Sequence, residues 1–504
     1  MSHLCSMSSQ NSIQTLGPPD QSTSPGSSVF DLPIGERSPL TPGLHPYSRI
    51  PVLSSSGVLL RDGLEDESFV VISGGTGGNA IVGTFANSDV VYVLPVSDNG
   101  GSSSEIIRVL GGPSIGDLRS RLIRLIPSSS GSSSTQVATQ AIRNLLSHRF
   151  SLEKSEHAAR EEWREIVEGR SELWRGIPPD RKETIRGFLV YFEAELLRHA
   201  HKNFVFRNGS VGNFFLAAMQ LFLRSLPSAI FLFGSITGTQ ANARILPVIV
   251  TNHTVTISAE LTNGDTVIGQ CDISHPVHGP RPHPRRSNST RSADFDTDDG
   301  MDGDQVTHAA NISFSKADVE SGKEEQRLAA PINRLLYLNS YGQEIFPSPN
   351  PEFIENLSRK RVLIYSCGSL WTSVIPCIAL RGVATAIATS PSLQSKILLL
   401  NAKNDRETHG YKASDYIRAI VRSLNRADLG GQRSEPLHPP RRRETQSSYP
   451  VSAYVTHLFY LEGGEVFVDV EAVTNLGVAC VGVPGNVYET MQLATVLREA
   501  QLER

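Results

Sequence analysis

Two aspartates stand next to glycine-rich segments in the stretch from Phe69 to Asp117, a combination that is typical of a phosphate or nucleotide site. Asp98 is followed by Asn-Gly-Gly-Ser-Ser-Ser, Asp117 follows Gly116, and a run of glycines around Thr76 precedes both. Glycine loops let backbone N–H groups approach an anion, and a carboxylate can hold an Mg²⁺ ion or orient a hydroxyl group. Each segment alone is more typical of a tight turn, but the three together indicate a nucleotide site.

The elements that must position these residues are strands that end at the glycine segments. Phe69 to Ile72 is an apolar, β-branched run, as expected for a strand covered on both faces, and Val90 to Val96 is a second strand that ends just before Asp98. The first glycine loop is expected to adopt positive φ and to lead into a helix N-terminus, whose partial positive charge favours an anion. Gly116-Asp117 starts a further helix with a predicted inner and outer face: Leu118, Leu122, Leu125 and Ile126 inward, and Arg119, Arg121 and Arg124 outward.

The glycine pattern has more than one interpretation. Gly75-x-Gly77-x-x-Ala80 fits the dinucleotide fingerprint with alanine in its third position, and no Lys-Ser or Lys-Thr follows, so it is not a Walker loop. A nicotinamide-binding unit usually presents one acidic residue at the end of its second strand, whereas this chain has a second glycine- and serine-rich loop there. A nicotinamide enzyme with Asp98 on the ribose remains an alternative.

These segments and several later ones resemble the signature of the 2-phospho-L-lactate transferase and gluconeogenesis factor family. That family has a Gly-Gly-Thr-Gly loop, an Asp-Asp-Gly-Gly-Ser-Ser loop and a Pro-Gly-Asp-Ile-Arg-Asn segment. The chain departs from this pattern at Asn99, where a second aspartate is usual, at Ser120 in place of an asparagine, and at Gly209 in place of a histidine. The matching later stretches follow in the family's order: Ser210–Asn213, Arg244–Pro247, Gly368–Pro376 and Asn401–Tyr416.

The resemblance implies a Rossmann-like, doubly wound and mostly parallel α/β sheet that binds a nucleoside-diphosphate ligand. In the transferase branch, a phospholactyl-type group moves from a guanosine-diphosphate carrier to the hydroxyl group of a deazaflavin, with a divalent metal. The other branch is a nucleotide-sugar-binding regulator of carbon metabolism or of cell wall and morphology. We expect a transferase of the first type. A regulator without turnover is the alternative, and Asn99 favours it because it removes one anionic ligand.

The resemblance also implies the site residues. Asp98, Asn99 and Asp117 are expected to be catalytic, with Asp98 as the ligand of Mg²⁺. The expected ligand-binding residues come from the glycine loops and the matching later stretches: Gly74, Gly75, Thr76, Gly77, Asn79, Gly100, Gly101, Ser102, Ser103, Arg119, Asn213, Gly368, Ser369 and Asn401.

Composition argues against several other classes of protein. A formal net charge of −4 over 504 residues is not the excess of positive charge that is typical of proteins that bind nucleic acid or an anionic membrane. Five scattered cysteines suggest neither a disulfide framework nor a CxxC metal motif, and no apolar signal segment or membrane-spanning run is evident. We therefore expect a soluble, cytoplasmic protein whose partner is a nucleoside diphosphate or a nucleotide sugar, with no nucleic acid and no membrane. The sequence leaves open whether the protein forms a homodimer.

The chain is predicted to hold one α/β domain, residues 67–504, after a disordered tail, residues 1–66, that is rich in Ser, Pro and Gly. Three segments interrupt the domain. Residues 136–201 carry apolar residues at helical spacing and are expected to form a helical cap over the crevice. Residues 275–328 and 427–447 are polar and are predicted to be disordered insertions.

The later strands are predicted to bring further residues to the same site. Asn263-Gly264 predicts a hairpin turn and hence a small antiparallel excursion. Because ligands bind outside the carboxyl ends of parallel strands, Gly368, Ser369 and Asn401 are expected to join the glycine loops. The predicted strands are Ile245–Val250, Val255–Leu261, Thr266–Asp272, Arg361–Tyr365, Lys396–Leu400, Val466–Val470 and Val478–Val483, followed by a closing helix, Tyr488–Arg498.

Overall fold

The computed structural model describes residues 67–74, 77–127, 134–239, 243–275, 327–429 and 449–502, all within one compact unit, Arg61–Arg504. Several predictions made from the sequence lie outside the described residues. These are the tail 1–66, the greater part of the insertions 275–328 and 427–447, and the loop residues Gly75 and Thr76.

A sheet of seven parallel strands forms the centre of the molecule, in the order β11-β10-β9-β8-β1-β2-β3. The chain runs outward from β1 through β2 to β3 and then returns to the other side of β1 with β8, so β1 and β8 are neighbours at the point where the strand order reverses. The strands are β1 (Ser68–Ile72), β2 (Asp89–Leu94), β3 (Ala243–Pro247), β8 (Val362–Tyr365), β9 (Ser395–Leu399), β10 (His457–Leu461) and β11 (Ala479–Val483).

This order is that of a doubly wound, Rossmann-like sheet with one strand added, as the sequence predicted. The central strands are apolar because both of their faces are covered: all four residues Phe69–Ile72 and all four residues Val362–Tyr365 are 0% exposed. The predicted antiparallel excursion is also confirmed, as a second sheet in the order β5-β4-β6-β7. Its strands are β4 (Thr256–Leu261), β5 (Thr266–Ile268), β6 (Ile332–Leu338) and β7 (Glu344–Ile345).

Helices cover the main sheet and form a separate helical layer. Three helices, Ser134–Ser147, Glu156–Val167 and Pro179–Arg198, fall in or next to the predicted helical segment. The other helices are Gly77–Ala80, Gly101–Leu110, Gly116–Arg124, Val211–Leu223, Leu226–Thr237, Gln270–Ser274, Pro351–Leu357, Ile375–Ile378, Val383–Ala388, Ala413–Leu429, Val470–Asn475 and Thr490–Leu502, with a π-helical turn at Leu370–Val374 and 3₁₀ turns at Val82–Phe85, Glu172–Trp174, Ala200–Lys202 and Val451–Ala453.

An aromatic cluster joins this helical layer to the buried helix Val211–Leu223. Phe214 stacks on Phe192 with ring centroids 4.9 Å apart and meets Trp163 edge-on at 5.3 Å. Phe150, Phe204 and Phe206 also belong to the cluster. Such aromatic pairs stabilise a packing arrangement beyond the area that they bury. Within the described part of the chain, no helix combines the length and the apolar character that crossing a membrane requires.

The structure corrects two of the predicted strands. The strand predicted for Thr266–Asp272 ends at Ile268 because Gly269 adopts φ +94 and the chain turns into the helix Gln270–Ser274. Val466–Val470 forms no strand, although its residues alternate. Instead, the carbonyl of Phe467 accepts a hydrogen bond from the N–H of Ala413, and the Asp469 carboxylate accepts one from the N–H of Ser414. The strand between β9 and β11 in the sheet is β10.

Candidate functional site

The loops after β1 and β8 touch each other at the reversal of the strand order. A Cβ atom on Gly77 would overlap the carbonyl oxygen of Cys367 and would lie 3.3 Å from the Cα atom of Gly368. A Cβ atom on Gly74 would lie 2.9 Å from the Cβ atom of Ser373 and 3.0 Å from the Asp117 carboxylate. The glycines therefore allow the two loops and the helix Gly116–Arg124 to meet at the reversal of the strand order. Open α/β sheets bind their ligands in a crevice at this position, and the region around these loops is called the crevice below.

Arg121 is fully buried under this crevice, so its predicted outward orientation is wrong. Its guanidinium donates hydrogen bonds to the Ser73 hydroxyl at 2.8 Å and to the Gly78 carbonyl at 2.9 Å, and it lies 4.5 Å from the centre of the Tyr92 ring. Burial lowers the pKa of Arg121, and Tyr92 and Asp117 oppose that shift. Arg121 holds both ends of the first glycine loop, whereas Arg124 is exposed as predicted.

Asp98 lies in the loop after β2 and faces the start of the helix Gly116–Arg124. One of its carboxylate oxygens accepts a hydrogen bond from the Gly100 N–H at 2.8 Å, and the other would lie 3.6 Å from a Cβ atom on Gly116. The Ser103 hydroxyl is close to Gly116 on the same side. Burial raises the pKa of Asp98, and the Gly100 N–H acts in the opposite direction. Asp98, Ser103 and Asp117 thus lie around Gly116.

The Asn99 side chain attaches its loop to the helix Gln270–Ser274. Its amide oxygen accepts a hydrogen bond from the Cys271 N–H at 3.1 Å, and its amide nitrogen packs against Gly269. The Cys271 thiol lies against Gly100, and burial raises its pKa to about 12 with a smaller contribution from Asp98. Asn99 therefore links the second glycine loop to the helix Gln270–Ser274 in this structure.

Asn213 connects two other predicted site residues. Its amide nitrogen donates to the Ser102 hydroxyl, and its amide oxygen accepts a hydrogen bond from Arg119 at 2.7 Å. Burial, followed by repulsion from Arg149, lowers the pKa of Arg119 to about 10. Arg119 is half-buried, so the prediction that it faces outward holds only in part. The Ser-x-Gly-Asn segment thus supports the second glycine loop from the side.

The remaining predicted residues line the other loops of the crevice. The Asn401 amide donates to the Gly368 carbonyl at 3.1 Å, and the Ser369 carbonyl accepts a hydrogen bond from the Ser373 N–H at 3.0 Å. Asn79 donates to the Ser120 hydroxyl at 2.8 Å. Gly101 begins its helix with φ +54. Of the predicted site residues, Gly75 and Thr76 are outside the described part of the chain.

One acidic residue of this region was not identified from the sequence. Glu407 follows β9, is 2% exposed, and accepts hydrogen bonds from the backbone N–H groups of Trp371 and Thr372 at 3.0 and 3.2 Å. Burial and then Asp405 raise its pKa to about 7, and its hydrogen bonds act against that shift. Glu407 could have been identified from its position after a strand, within the stretch Asn401–Tyr416.

The acidic groups of the crevice do not form a metal site by themselves. In residues 67–502, apart from the gaps in the description, no group of three or more His, Cys, Asp or Glu side chains could enclose an ion. Asp98 and Asp117 are the carboxylates next to the glycine loops, and Asp117 is only 6% exposed. An Mg²⁺ ion usually takes one or two protein carboxylates and completes its coordination with phosphate oxygens and water. An ion held here would therefore need oxygen ligands beyond these two carboxylates.

Comparisons with known proteins agree with this geometry. An uncharacterized protein of Saccharomyces cerevisiae, YNL011C, is 36% identical over 432 residues, which are 79% of this chain and 91% of the yeast protein. A Thermotoga maritima protein, provisionally named a gluconeogenesis factor, is 22% identical over 362 residues, covering 71% of this chain and 76% of that protein.

A solved structure has the same fold. The crystal structure of a UPF0052 family protein from Bacillus halodurans superposes with a TM-score of 0.51 at 17% identity, covering 85% of this chain and 98% of that one. The family model described as 2-phospho-L-lactate transferase CofD matches residues 69–439. That match covers well over half of the 504 residues. The chain therefore belongs to the 2-phospho-L-lactate transferase CofD family.

Proposed function

We propose that this protein binds a nucleoside-diphosphate carrier in the crevice between the loops after β1, β2 and β8, and that it transfers a phospholactyl-type group from the carrier to an acceptor hydroxyl. The observation that carries the proposal is the meeting of Gly74, Gly77 and Gly116 with two carboxylates at the reversal of the strand order. Dinucleotides and related ligands bind at this position in doubly wound sheets.

Two helix N-termini at the crevice supply donors for the diphosphate. The helices Gly101–Leu110 and Gly116–Arg124 both begin there, and their N-cap residues, Gly100 and Ile115, have no polar side chain that could cap the first N–H groups. Uncapped N–H groups at a helix start need partners, and together with the helix dipole they favour a phosphate group. Gly101 has no atom within 4 Å of its Cβ position, which leaves room for a phosphate to approach this helix start.

The two aspartates have different roles in this proposal. Asp98 is half-buried and keeps exposed surface, so it is the residue that would hold Mg²⁺, which neutralises diphosphate charge when it is bound. Asp117 is almost fully buried against Gly74 and Arg121, and it supports the loop. Because the pKa of Asp98 is raised, ionisation of Asp98 and with it Mg²⁺ affinity should increase with pH.

The transfer itself needs a nucleophile and a leaving group. The oxygen of the acceptor hydroxyl forms a bond to the phosphorus of the phospholactyl group, the bridging bond of the diphosphate breaks, and the nucleoside monophosphate leaves. The hydroxyl proton passes to a base or to water as the bond forms. The uncapped N–H groups stabilise the charge that develops on the phosphate oxygens.

A regulator that binds a nucleotide sugar without turnover is the second candidate. The specific observation in its favour is Asn99, which is neutral where the family has an acid and whose amide is occupied by Cys271. The Thermotoga maritima relative with the name gluconeogenesis factor adds support for this candidate. The same glycine loops would serve either function.

A thermal-shift panel tests the proposal. The wild-type protein is heated with a series of nucleoside diphosphates and their sugar and lactyl esters, each with Mg²⁺ and with a chelator. A ligand at a hundred times its dissociation constant should stabilise the fold by about 2.7 kcal/mol. Stabilisation by the lactyl ester of a nucleoside diphosphate, with release of the nucleoside monophosphate when an acceptor alcohol is added, supports the transferase. Stabilisation without release supports the regulator, and no stabilisation by any ligand rules out both.

A further inference from the structure

Glu407 joins two segments that are far apart in the sequence. Its carboxylate accepts hydrogen bonds from the N–H groups of Trp371 and Thr372 and from the Thr372 hydroxyl at 2.6 Å, all at the start of the helical segment Leu370–Ile378. The same carboxylate accepts a hydrogen bond from the Ser274 hydroxyl, which belongs to the helix Gln270–Ser274. A carboxylate with four donors is fully satisfied although it is buried.

Each of these two segments reaches one side of the nucleotide crevice. Leu370–Ile378 carries Ser373, whose side chain lies against Gly74 of the first glycine loop. Gln270–Ser274 carries Cys271, which donates to Asn99 and packs against Gly100 of the second glycine loop. Glu407 is therefore linked to both glycine loops through these segments, and among the described residues none of its side-chain hydrogen bonds goes to either loop itself.

The loop that carries Glu407 is itself rigidly held. The Asp405 carboxylate accepts hydrogen bonds from the N–H groups of Glu407 and Thr408, both at 3.0 Å, and from the Thr408 hydroxyl at 2.8 Å. The Tyr416 hydroxyl, on the helix Ala413–Leu429, donates to the Thr408 hydroxyl at 2.9 Å. The loop that carries Glu407 is thus fixed to the helix Ala413–Leu429. Through Glu407 it holds the segments Leu370–Ile378 and Gln270–Ser274 in place.

We infer that Glu407 is a positioning residue that holds the two glycine loops at the spacing that the ligand needs. This inference rests on the proposed function for its effect on ligand binding, whereas the positioning itself can be measured without a ligand. Glu407 would touch neither the nucleotide nor the reacting atoms. Its loss should loosen both loops at once, although they follow different strands.

Three variants separate positioning from other roles. Glu407→Ala removes all four hydrogen bonds. Glu407→Gln keeps one oxygen for the two backbone N–H groups. Its NH₂ group can donate to the two hydroxyls after they rotate, so the variant should still hold both segments. Ser274→Ala cuts only the link to Gln270–Ser274. Asp428→Ala is the control, because the hydrogen bonds of Asp428 all go to Gly382 and Thr385, away from both glycine loops.

Hydrogen exchange followed by mass spectrometry is the first readout. In Glu407→Ala, exchange should become faster in residues 97–103, 270–274 and 369–375. In Ser274→Ala it should become faster in the first two segments alone. Glu407→Gln and Asp428→Ala should leave all three segments unchanged. Faster exchange confined to residues 369–375 in Glu407→Ala would overturn the inference. If Glu407→Ala does not fold, Ser274→Ala tests it instead, and unchanged exchange in residues 97–103 would overturn the inference.

Affinity for the best nucleoside diphosphate is the second readout. Glu407→Ala should bind at least about tenfold more weakly, and Glu407→Gln should stay within about threefold of wild type, since tenfold corresponds to one lost contact of ordinary strength. Equal affinity of wild type and Glu407→Ala would contradict the inference. If wild type binds none of the nucleoside diphosphates, the proposed function fails, and hydrogen exchange alone still decides the role of Glu407.

Discussion

The glycines of the site are needed for close approach more than for unusual backbone angles. The sequence predicted a loop with positive φ, but Gly74, Gly77 and Gly100 do not have it, and in the described loops around the crevice it is found at Gly101. Each of the first three glycines instead faces an atom that a Cβ would meet at or inside 3.0 Å. Sequence patterns identify such glycines without revealing the neighbour that requires them.

Gly77→Ala should therefore destabilise the fold. The added methyl group meets the carbonyl oxygen of Cys367, which is backbone and cannot rotate away. We expect a loss of about 1–3 kcal/mol in the free energy of unfolding, measured by urea denaturation, because overpacking forces such shifts.

The matched control for this prediction is Gly187→Ala. Gly187 lies within the helix Pro179–Arg198 and has no atom within 4 Å of its Cβ position, so alanine should stabilise the protein by about 0.5–1 kcal/mol. A Gly77→Ala variant as stable as wild type would show that the loops after β1 and β8 are further apart than described.

Arg121 shows what helical periodicity misses. Arg121 follows Leu118 by three residues and is on the same buried face, but its charge led to a prediction of exposure. Arg121→Ala should cost about 2–4 kcal/mol, because the Ser73 hydroxyl and the Gly78 carbonyl lose their donor inside the fold. The exposed Arg124 gives the control: Arg124→Ala should stay within about 0.5 kcal/mol of wild type in the same denaturation experiment. Equal effects of the two substitutions would contradict this assignment.

At the scale of elements, the strands around the site were predictable and their supports were not. β1, β2, β8 and β9 are apolar runs that end in small or polar residues, a strong local signal. The helix Gln270–Ser274 has no such signal, because its first turn is held by Asn99 from a distant part of the chain. No local pattern indicates that the π-helical turn Leu370–Val374 is bound by the carboxylate of Glu407. Long-range side-chain contacts of this kind are invisible to local patterns.

Glu407 should give the protein a specific pH dependence. Its folded-state pKa is raised from 4.5 to about 7, so the stability that it contributes is fully present below its unfolded pKa and is lost as pH rises through about 7. Wild type should lose up to about 3 kcal/mol of unfolding free energy relative to Glu407→Gln between about pH 4.5 and about pH 8.

Urea denaturation of both proteins across that range provides the measurement. Other titrating groups are shared by the two proteins and largely cancel in the difference. A difference between the two proteins that is constant with pH would contradict the raised pKa.

At the scale of the whole molecule, the family resemblance predicted what local patterns could not. The strand order places the carboxyl ends of β1, β2, β8 and β9 side by side, although β8 follows β2 by more than two hundred residues of sequence. Local patterns supply the strands, while their order depends on how the intervening segments pack. β10 and β6 were missed for a related reason, since both lie next to long polar insertions.

The central claim is that this crevice binds a nucleoside diphosphate through Asp98 and Mg²⁺. Isothermal titration calorimetry tests this claim most directly. The best ligand is titrated into wild type and into Asp98→Asn, each with Mg²⁺ and with a chelator. Wild type should bind more tightly with Mg²⁺, and Asp98→Asn should lose that difference, because an amide keeps the shape but not the charge that the ion requires. A loss of about 1–3 kcal/mol that does not depend on Mg²⁺ would instead place Asp98 on a sugar hydroxyl. Equal affinities in all four conditions would contradict the account.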